Sequence, residues 1–127
     1  MPLEHHEARE QLPAEVLEQH RAVESVIEEL EAAMWYQERA ATSSDAELKS
    51  ILEHNRDEEI EHASMLLEWL RRNFPGFDEE MKTYLFTDMP ILEAEEAATS
   101  GDEQPKGDST GSGASGSLNI GSMKEGE

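Results

Sequence analysis

Residues 25–62 read SVIEELEAAMWYQERAATSSDAELKSILEHNRDEEIEH, and this stretch decides the fold. Both of its halves have apolar residues at the spacing of amphipathic helices. The segment between them, TSSD at positions 42–45, has the composition of a turn. So short a connection makes two helices antiparallel neighbours. The sequence therefore predicts an all-α protein built on a two-helix antiparallel hairpin.

The bounds of both helices follow from their end signals. Pro13 suits a first helical turn, and the first helix should run to about Ala41. Ser44 and Glu47 have capping-box spacing, so the second helix should begin there and end near Asn73, before FPG. The first helix also carries a heptad-like apolar seam, typical of packing against another helix. Its members are Val16, His20, Val23, Ile27, Leu30 and Met34.

The rest of the chain divides by composition. Asp78 can cap a third, short helix at 79–86, and 91–98 can form a fourth. The helical domain then spans 13–99, after a polar and flexible N-terminal arm at 1–12. A flexible linker at 100–116 is almost without apolar residues. Residues 117–127 restore three apolar side chains, which is typical of a tethered docking peptide.

Composition limits the partners and the chemistry. The 127 residues include 30 acidic and 10 basic ones, a formal net charge of −20. This charge repels nucleic acid and anionic membranes and attracts cations. Because there is no cysteine, we exclude disulfides, thiolate ligands and iron–sulfur clusters. No signal peptide or membrane-spanning stretch is apparent in the sequence, which predicts a cytoplasmic location.

Acidic groups and a histidine fall inside the apolar rows of both helices. Glu59 lies between Leu52 and Leu66 on the second helix, with His62 on the adjoining row, and Glu29 lies within an apolar row of the first. A buried, unpaired carboxylate is costly, so such groups are usually paired or bound to a cation. These three residues are therefore candidate metal ligands.

The ligand pattern is half of a di-metal site. Di-iron and di-manganese carboxylate sites in four-helix bundles use one Glu from each of two helices and Glu-x-x-His from each of the other two. This chain offers Glu29 and Glu59-x-x-His62, and a two-fold homodimer would supply the same set again. Glu58 also lies near His62, at i and i+4, and spacing alone does not choose between Glu58 and Glu59.

A second acidic feature lies on the first helix. Glu24, Glu28, Glu31 and Glu38 form one strip around Trp35. Most strips of this kind are simply solvated helix faces, and spacing alone favours that interpretation of this strip.

Several motifs, taken in order, resemble the encapsulated ferritin family. They are EELE at 28–31 followed by Trp35-Tyr36, HNRDEEIEHA at 54–63, EWLRRN at 68–73 and TYLFT at 83–87. The resemblance covers 13–100 and 117–124. It implies two-helix subunits that dimerise into a ferritin-like four-helix bundle and assemble into a ring-shaped decamer. It also implies oxidation of Fe(II), with the mineral held inside an encapsulin shell.

The resemblance also implies roles for particular residues. Glu29, Glu59 and His62 from both subunits would hold two irons per dimer, with Tyr36 beside them.

The acidic strip receives a second interpretation from the same resemblance. Glu28 and Glu31, with Trp35 close by, match the site at which metal ions enter in that family.

The end of the chain matches as well. Residues 118–124 are similar to the encapsulin-targeting peptide, which makes the shell protein the implied partner. They depart from it at Asn119, where glycine is common, and at Met123, where leucine is common. The chain also continues for three residues beyond the match.

The resulting prediction is a ferroxidase that is carried as cargo in an encapsulin nanocompartment of the cytoplasm. One alternative is a non-catalytic adaptor, an acidic helical hairpin that brings its tethered peptide to a partner. Another is a di-iron or di-manganese enzyme that handles peroxide. The absence of cysteine counts against a rubrerythrin-like form of the latter.

Overall fold

The computed structural model of the protein describes the backbone of residues 2–102 and the side chains of residues 2–100. Over these residues the secondary structure is helical throughout, which confirms the predicted all-α class. A short 3-10 helix, Arg9–Gln11, precedes four α-helices. These are α1 (Ala14–Thr42), α2 (Ala46–Asn73), α3 (Phe77–Tyr84) and α4 (Ile91–Asp102).

The predicted terminal peptide at 117–127 and nearly all of the predicted linker at 100–116 lie outside the described residues. Within the described part, no helix is long and apolar enough to cross a lipid bilayer. The chain divides into two compact units, with the boundary between Glu79 and Glu80. The first unit contains the hairpin.

The hairpin has the predicted form. α1 packs along α2, and only residues 43–45 connect them, so the two helices are antiparallel. α1 ends one residue later than predicted, and α2 ends at Asn73 as predicted. The Phe74 N–H donates to the carbonyl of Leu70 at 2.8 Å, which closes the last turn of α2.

Two predicted helix starts are wrong. Asp45, one residue after the predicted Ser44, caps α2, since its carboxylate accepts from the Leu48 N–H at 2.8 Å. A carboxylate has the same reach as a hydroxyl here and adds a negative charge at the positive end of the helix dipole. α3 begins at Phe77, so Asp78 lies within its first turn and pairs with Arg71 instead of capping.

The core of the hairpin is small. Its buried row on α1 is Gln19, Ala22 and Val26, which packs against Leu70 of α2. The apolar seam predicted on α1 is the neighbouring row, and its members Leu30 and Met34 are both 53% exposed. The contact within the chain therefore leaves much of the apolar surface of α1 uncovered. Apolar residues on both long helices share this exposure: Leu30, Met34, Trp35, Leu48, Ile51, Ile60 and Met65.

The N-terminal arm contacts α1. The His20 Nε2–H donates to the carbonyl of Leu3 at 2.8 Å, and the ring of His5 stacks on that of His20 with 4.0 Å between centroids. Thus His20 lies at the interface between arm and helix. The flexibility of residues 1–12 in solution stays a prediction.

An ion-pair network follows the last turn of α2. Arg71 donates two hydrogen bonds to Glu68, at 2.9 and 2.8 Å, and Arg72 donates a third at 2.7 Å. Arg71 also pairs with Asp78 of α3. The hydrogen bonds from Arg71, and then the one from Arg72, lower the pKa of Glu68 to about 2.

Replacing Glu68 with Gln should therefore destabilise the protein in a pH-dependent way. The folded pKa of Glu68 lies below its ordinary value of 4.5, so its contribution is present above pH 4.5 and is lost as pH falls toward 2. Because the side chain is 42% exposed, we expect a loss of only about 0.5–1 kcal/mol at neutral pH. Thermal unfolding of Glu68→Gln between about pH 7 and pH 3 measures it. Glu61→Gln, an exposed change on the same helix, is the control. A difference between Glu68→Gln and the parent that does not shrink on acidification would contradict the assignment.

Candidate metal centre

Glu29 of α1 and Glu59 and His62 of α2 converge on one place between the helices. The Nδ1 atom of His62 lies 3.5 Å from the Oε1 of Glu29 and 3.4 Å from the Oε1 of Glu59. One ligand atom from each residue lies within 4.8 Å of the other two. In the part of the chain that the structure describes, this is the one group of three or more such residues close enough to share a metal ion.

Helix geometry explains the convergence. Glu59 and His62 are three residues apart, so they project from the same side of α2. Glu29 follows Ala22 by seven residues and Val26 by three, which places it on the row of α1 that faces α2. The antiparallel hairpin then brings the two sets together.

The cluster is half-buried. The side chains of Glu29, Glu59 and His62 keep 27%, 23% and 42% of their exposure. The helices therefore cover the ligands on one side and leave them accessible on the other.

The charges in the cluster favour a cation. The pKa of Glu29 is raised, first by the hydrogen bond with Glu59, then by burial and by the Glu59 charge. Desolvation lowers the pKa of His62, but the hydrogen bond with Glu59 and the two carboxylate charges outweigh it, and the net shift is upward. Each group thus responds to an excess of negative charge, which a bound cation would neutralise.

Glu58 lies on the other side of the histidine ring. Its Oε1 is 3.8 Å from the Nε2 of His62, and its Oε2 is 3.7 Å from the Nε2 of His54. The structure therefore groups Glu59 with Glu29 and leaves Glu58 outside the three-residue cluster. His54 is not among the residues predicted from the sequence, although its spacing of four from Glu58 is a signal that could have found it.

The remaining predicted site residues also lie on α1. Tyr36 follows Glu29 by seven residues, about 10 Å along the axis of α1. The guanidinium of Arg39 lies 5.5 Å from the centre of the Tyr36 ring.

The predicted metal-uptake residues occupy the outer surface of α1. Glu28, Glu31 and Trp35 are all exposed. Their spacing of three and four places them on one face, next to the row that carries Glu29.

Comparison with known proteins gives consistent matches. The EncFtn-like family model matches residues 4–88. The chain is 52% identical to the "Ferritin-like protein" of Thermotoga maritima over 105 residues, which are 83% of this chain and 92% of that protein. It is 51% identical to the "Encapsulated ferritin-like protein" of Rhodospirillum rubrum over 121 residues, 94% of this chain and 86% of that protein. A crystal structure of a protein from Nitrosomonas europaea aligns with a TM-score of 0.66 and 54% identity, covering 68% of this chain and 96% of that one.

The cluster predicts a particular response to metal. Co2+ should raise the melting temperature of the parent protein, because an ion that binds only the folded state stabilises it by roughly 2.7 kcal/mol at a hundredfold excess over Kd. Glu59→Ala and His62→Ala should abolish most of this shift, and Glu58→Ala should retain it. Without metal, Glu59→Ala should unfold at the same or a higher temperature, since it removes the half-buried carboxylate whose hydrogen bond and charge raise the pKa of Glu29. If Glu59→Ala and His62→Ala both keep the Co2+-induced rise in melting temperature, the assignment of these ligands is wrong and Glu58 is the next residue to test.

Proposed function

Because this chain belongs to the EncFtn-like family, we propose that it is a ferroxidase that oxidises Fe(II) to Fe(III) at a di-iron site across a homodimer interface. Its resemblance to the encapsulated ferritins is confirmed by the family match and by the Rhodospirillum rubrum relative. The observation that carries the proposal is the convergence of Glu29, Glu59 and His62.

The donor set fits iron. Carboxylates bridge iron ions and support the ferric state, and imidazole is a common third ligand. In this cluster the Nδ1 of His62 faces both carboxylates, so Nδ1 is the atom that would bind. Metal binding at Nδ1 would leave the ring proton on Nε2, and the Oε1 of Glu58 lies 3.8 Å from that nitrogen. Each Fe(II) loses one electron, and an external oxidant, O2 or peroxide, accepts it.

A second copy would complete the site. One chain supplies three ligand residues and leaves them accessible on one side, next to uncovered apolar residues of the same two helices. In a two-fold dimer the same surface meets itself. Doubling Glu29, Glu59 and His62 gives the four-helix inventory and two irons per dimer. We extend the proposal to a ring-shaped decamer, as the family resemblance implies.

The residues around the centre receive supporting roles. Tyr36 is placed beside the irons by the resemblance to the family. Glu28 and Glu31, with Trp35, would attract Fe(II) to the outer surface of α1, because exposed carboxylates concentrate cations in a salt-dependent way.

The location follows from the tail and from the relatives. One relative is named an encapsulated ferritin-like protein, and residues 118–124 resemble a targeting peptide. We therefore place the protein in the cytoplasm, inside an encapsulin nanocompartment, with the shell protein as its partner.

The dimer is the unit to test first. Met34→Glu puts a charge on the uncovered face and should yield a monomer with intact helices, since Met34 is half exposed in the single chain. That monomer should oxidise Fe(II) in air no faster than buffer, whereas the parent and Met34→Leu should dimerise and develop ferric absorbance. Native mass spectrometry with and without Fe(II) should show more dimer with metal.

Full activity from a stable monomer would refute the shared site. A dimer that binds Fe(II) without oxidising it would favour the non-catalytic adaptor.

The tail is tested separately. Deleting residues 117–127 should abolish co-purification with the shell protein and leave Fe(II) oxidation unchanged. A full-length variant with Leu118, Ile120 and Met123 all changed to Ser should behave in the same way, because apolar burial drives such docking. If either variant is packaged in the shell as efficiently as the parent protein, the targeting signal lies within the helical domain.

A further inference from the structure

Two polar contacts join α1 to α2 on either side of the metal cluster. Near the turn, the Nη1 of Arg56 donates to the Oε1 of Gln37 at 2.8 Å, which we name the turn-side clamp. Near the open end, the Nε2 of Gln19 donates to the carbonyl of Asn73 at 3.0 Å, which we name the end clamp.

The clamps bracket the cluster. Glu29 follows Gln19 by ten residues and precedes Gln37 by eight, which is about 15 Å and about 12 Å along α1. Axial sliding of one helix against the other would therefore break both clamps and displace the cluster between them.

Side-chain packing alone restrains such sliding weakly. Many of the buried contacts of the hairpin come from small residues, among them Ala22, Ala40 and Ala63. Small side chains form shallow ridges, so neighbouring registers of two such helices differ little in packing. A hydrogen bond, by contrast, is lost when its donor and acceptor atoms move about 1 Å beyond their normal separation.

The ligands depend unequally on this register. Glu59 and His62 lie on one helix, so their separation does not change when α1 moves. Glu29 is the ligand supplied by α1, and its Oε1 lies 3.5 Å from the Nδ1 of His62. A slide of one helical turn, about 5.4 Å, would take it out of reach of a shared ion.

The end clamp is half-buried and the turn-side clamp lies at the surface, where Gln37 is exposed. Gln19 is buried, and its amide satisfies a carbonyl at the end of α2, where helical carbonyls lack partners within the helix. Arg56 is half-buried, and its Nε and Nη2 bond to Asp57 at 3.0 and 2.9 Å. Those bonds orient the guanidinium so that Nη1 points at Gln37.

We propose that Gln19, Gln37 and Arg56 are positioning residues that set the axial register of α1 on α2 and so hold Glu29 against Glu59 and His62. The proposal rests on the proposed function for the identity of the metal ligands. None of the three positioning residues contacts the metal in this assignment.

Co2+ titration of the dimer tests it, with the d–d absorption as the reporter of ligand geometry. Arg56→Ala and Gln37→Ala should each weaken Co2+ binding by about tenfold, the low end of the range for groups that hydrogen-bond directly to metal ligands. The double variant should lose no more than either single one, because both remove the same contact. Gln37→Glu keeps an acceptor for Arg56 and should bind like the parent. Gln19→Leu tests the end clamp and should also weaken binding.

The matched control is Arg21→Ala. Arg21 is an exposed arginine of α1 that pairs with Glu18 of its own helix at 2.9 Å. It should leave both Co2+ affinity and the absorption spectrum unchanged. Circular dichroism and native mass spectrometry verify that each variant stays helical and dimeric. Should Arg56→Ala lose helix, the comparison of Gln37→Ala with Gln37→Glu decides.

The inference fails if the clamp variants bind Co2+ with the parent affinity and spectrum, or if Arg21→Ala weakens binding as much as they do. Additive losses in the double variant would also overturn it. The Glu59→Ala variant distinguishes failure of the positioning role from failure of the proposed metal site itself. If Glu59→Ala binds Co2+ normally, the proposed metal centre is wrong. If only Glu59→Ala loses binding, the centre stands and the clamps do not position it.

Discussion

Two carboxylates and an imidazole face one another in the half-buried space between α1 and α2, and the rest of the hairpin is arranged around that constraint. Glu29 and Glu59 share a hydrogen bond that raises the pKa of Glu29, and both act on His62. Such a group is unfavourable without a positive charge at its centre. A bound metal ion would therefore stabilise the same region of the molecule that the core residues stabilise.

The core that accompanies this cluster is correspondingly small. Ala22, Val26 and Leu70 form it, while Leu30 and Met34 stay half exposed. Two helices can bury only one stripe of each other, so a hairpin of this size leaves apolar surface for another chain. In the proposed dimer, the surface that completes the metal centre is also the surface that completes the hydrophobic core. Folding, association and iron binding would then depend on the same contact.

The ends of the hairpin carry the polar contacts. Gln19 bonds to the last carbonyl of α2, and beyond it Arg71 joins Glu68 to Asp78 of α3. At the other end Arg56 bonds to Gln37. The candidate metal ligands lie in the middle of the hairpin, and directional contacts lie on either side of them. Under the proposed function, the middle of the helices would carry the chemistry and the contacts near their ends would keep them aligned.

The sequence by itself determined the all-α class, the two long helices and the set of candidate ligands, because helical periodicity and turn composition are local properties. It placed Glu59 and His62 on one face, since i and i+3 always share a side. Which of two adjacent residues caps α2 is a local choice, and the structure shows Asp45 in place of Ser44. Two features were decided only by the tertiary structure. The row containing Ala22 packs on α2, with Val23 of the seam beside it, and Glu59 joins Glu29 while Glu58 does not. Both depend on how α1 and α2 are rotated and aligned against each other, and the spacing of residues along one helix contains no information about that.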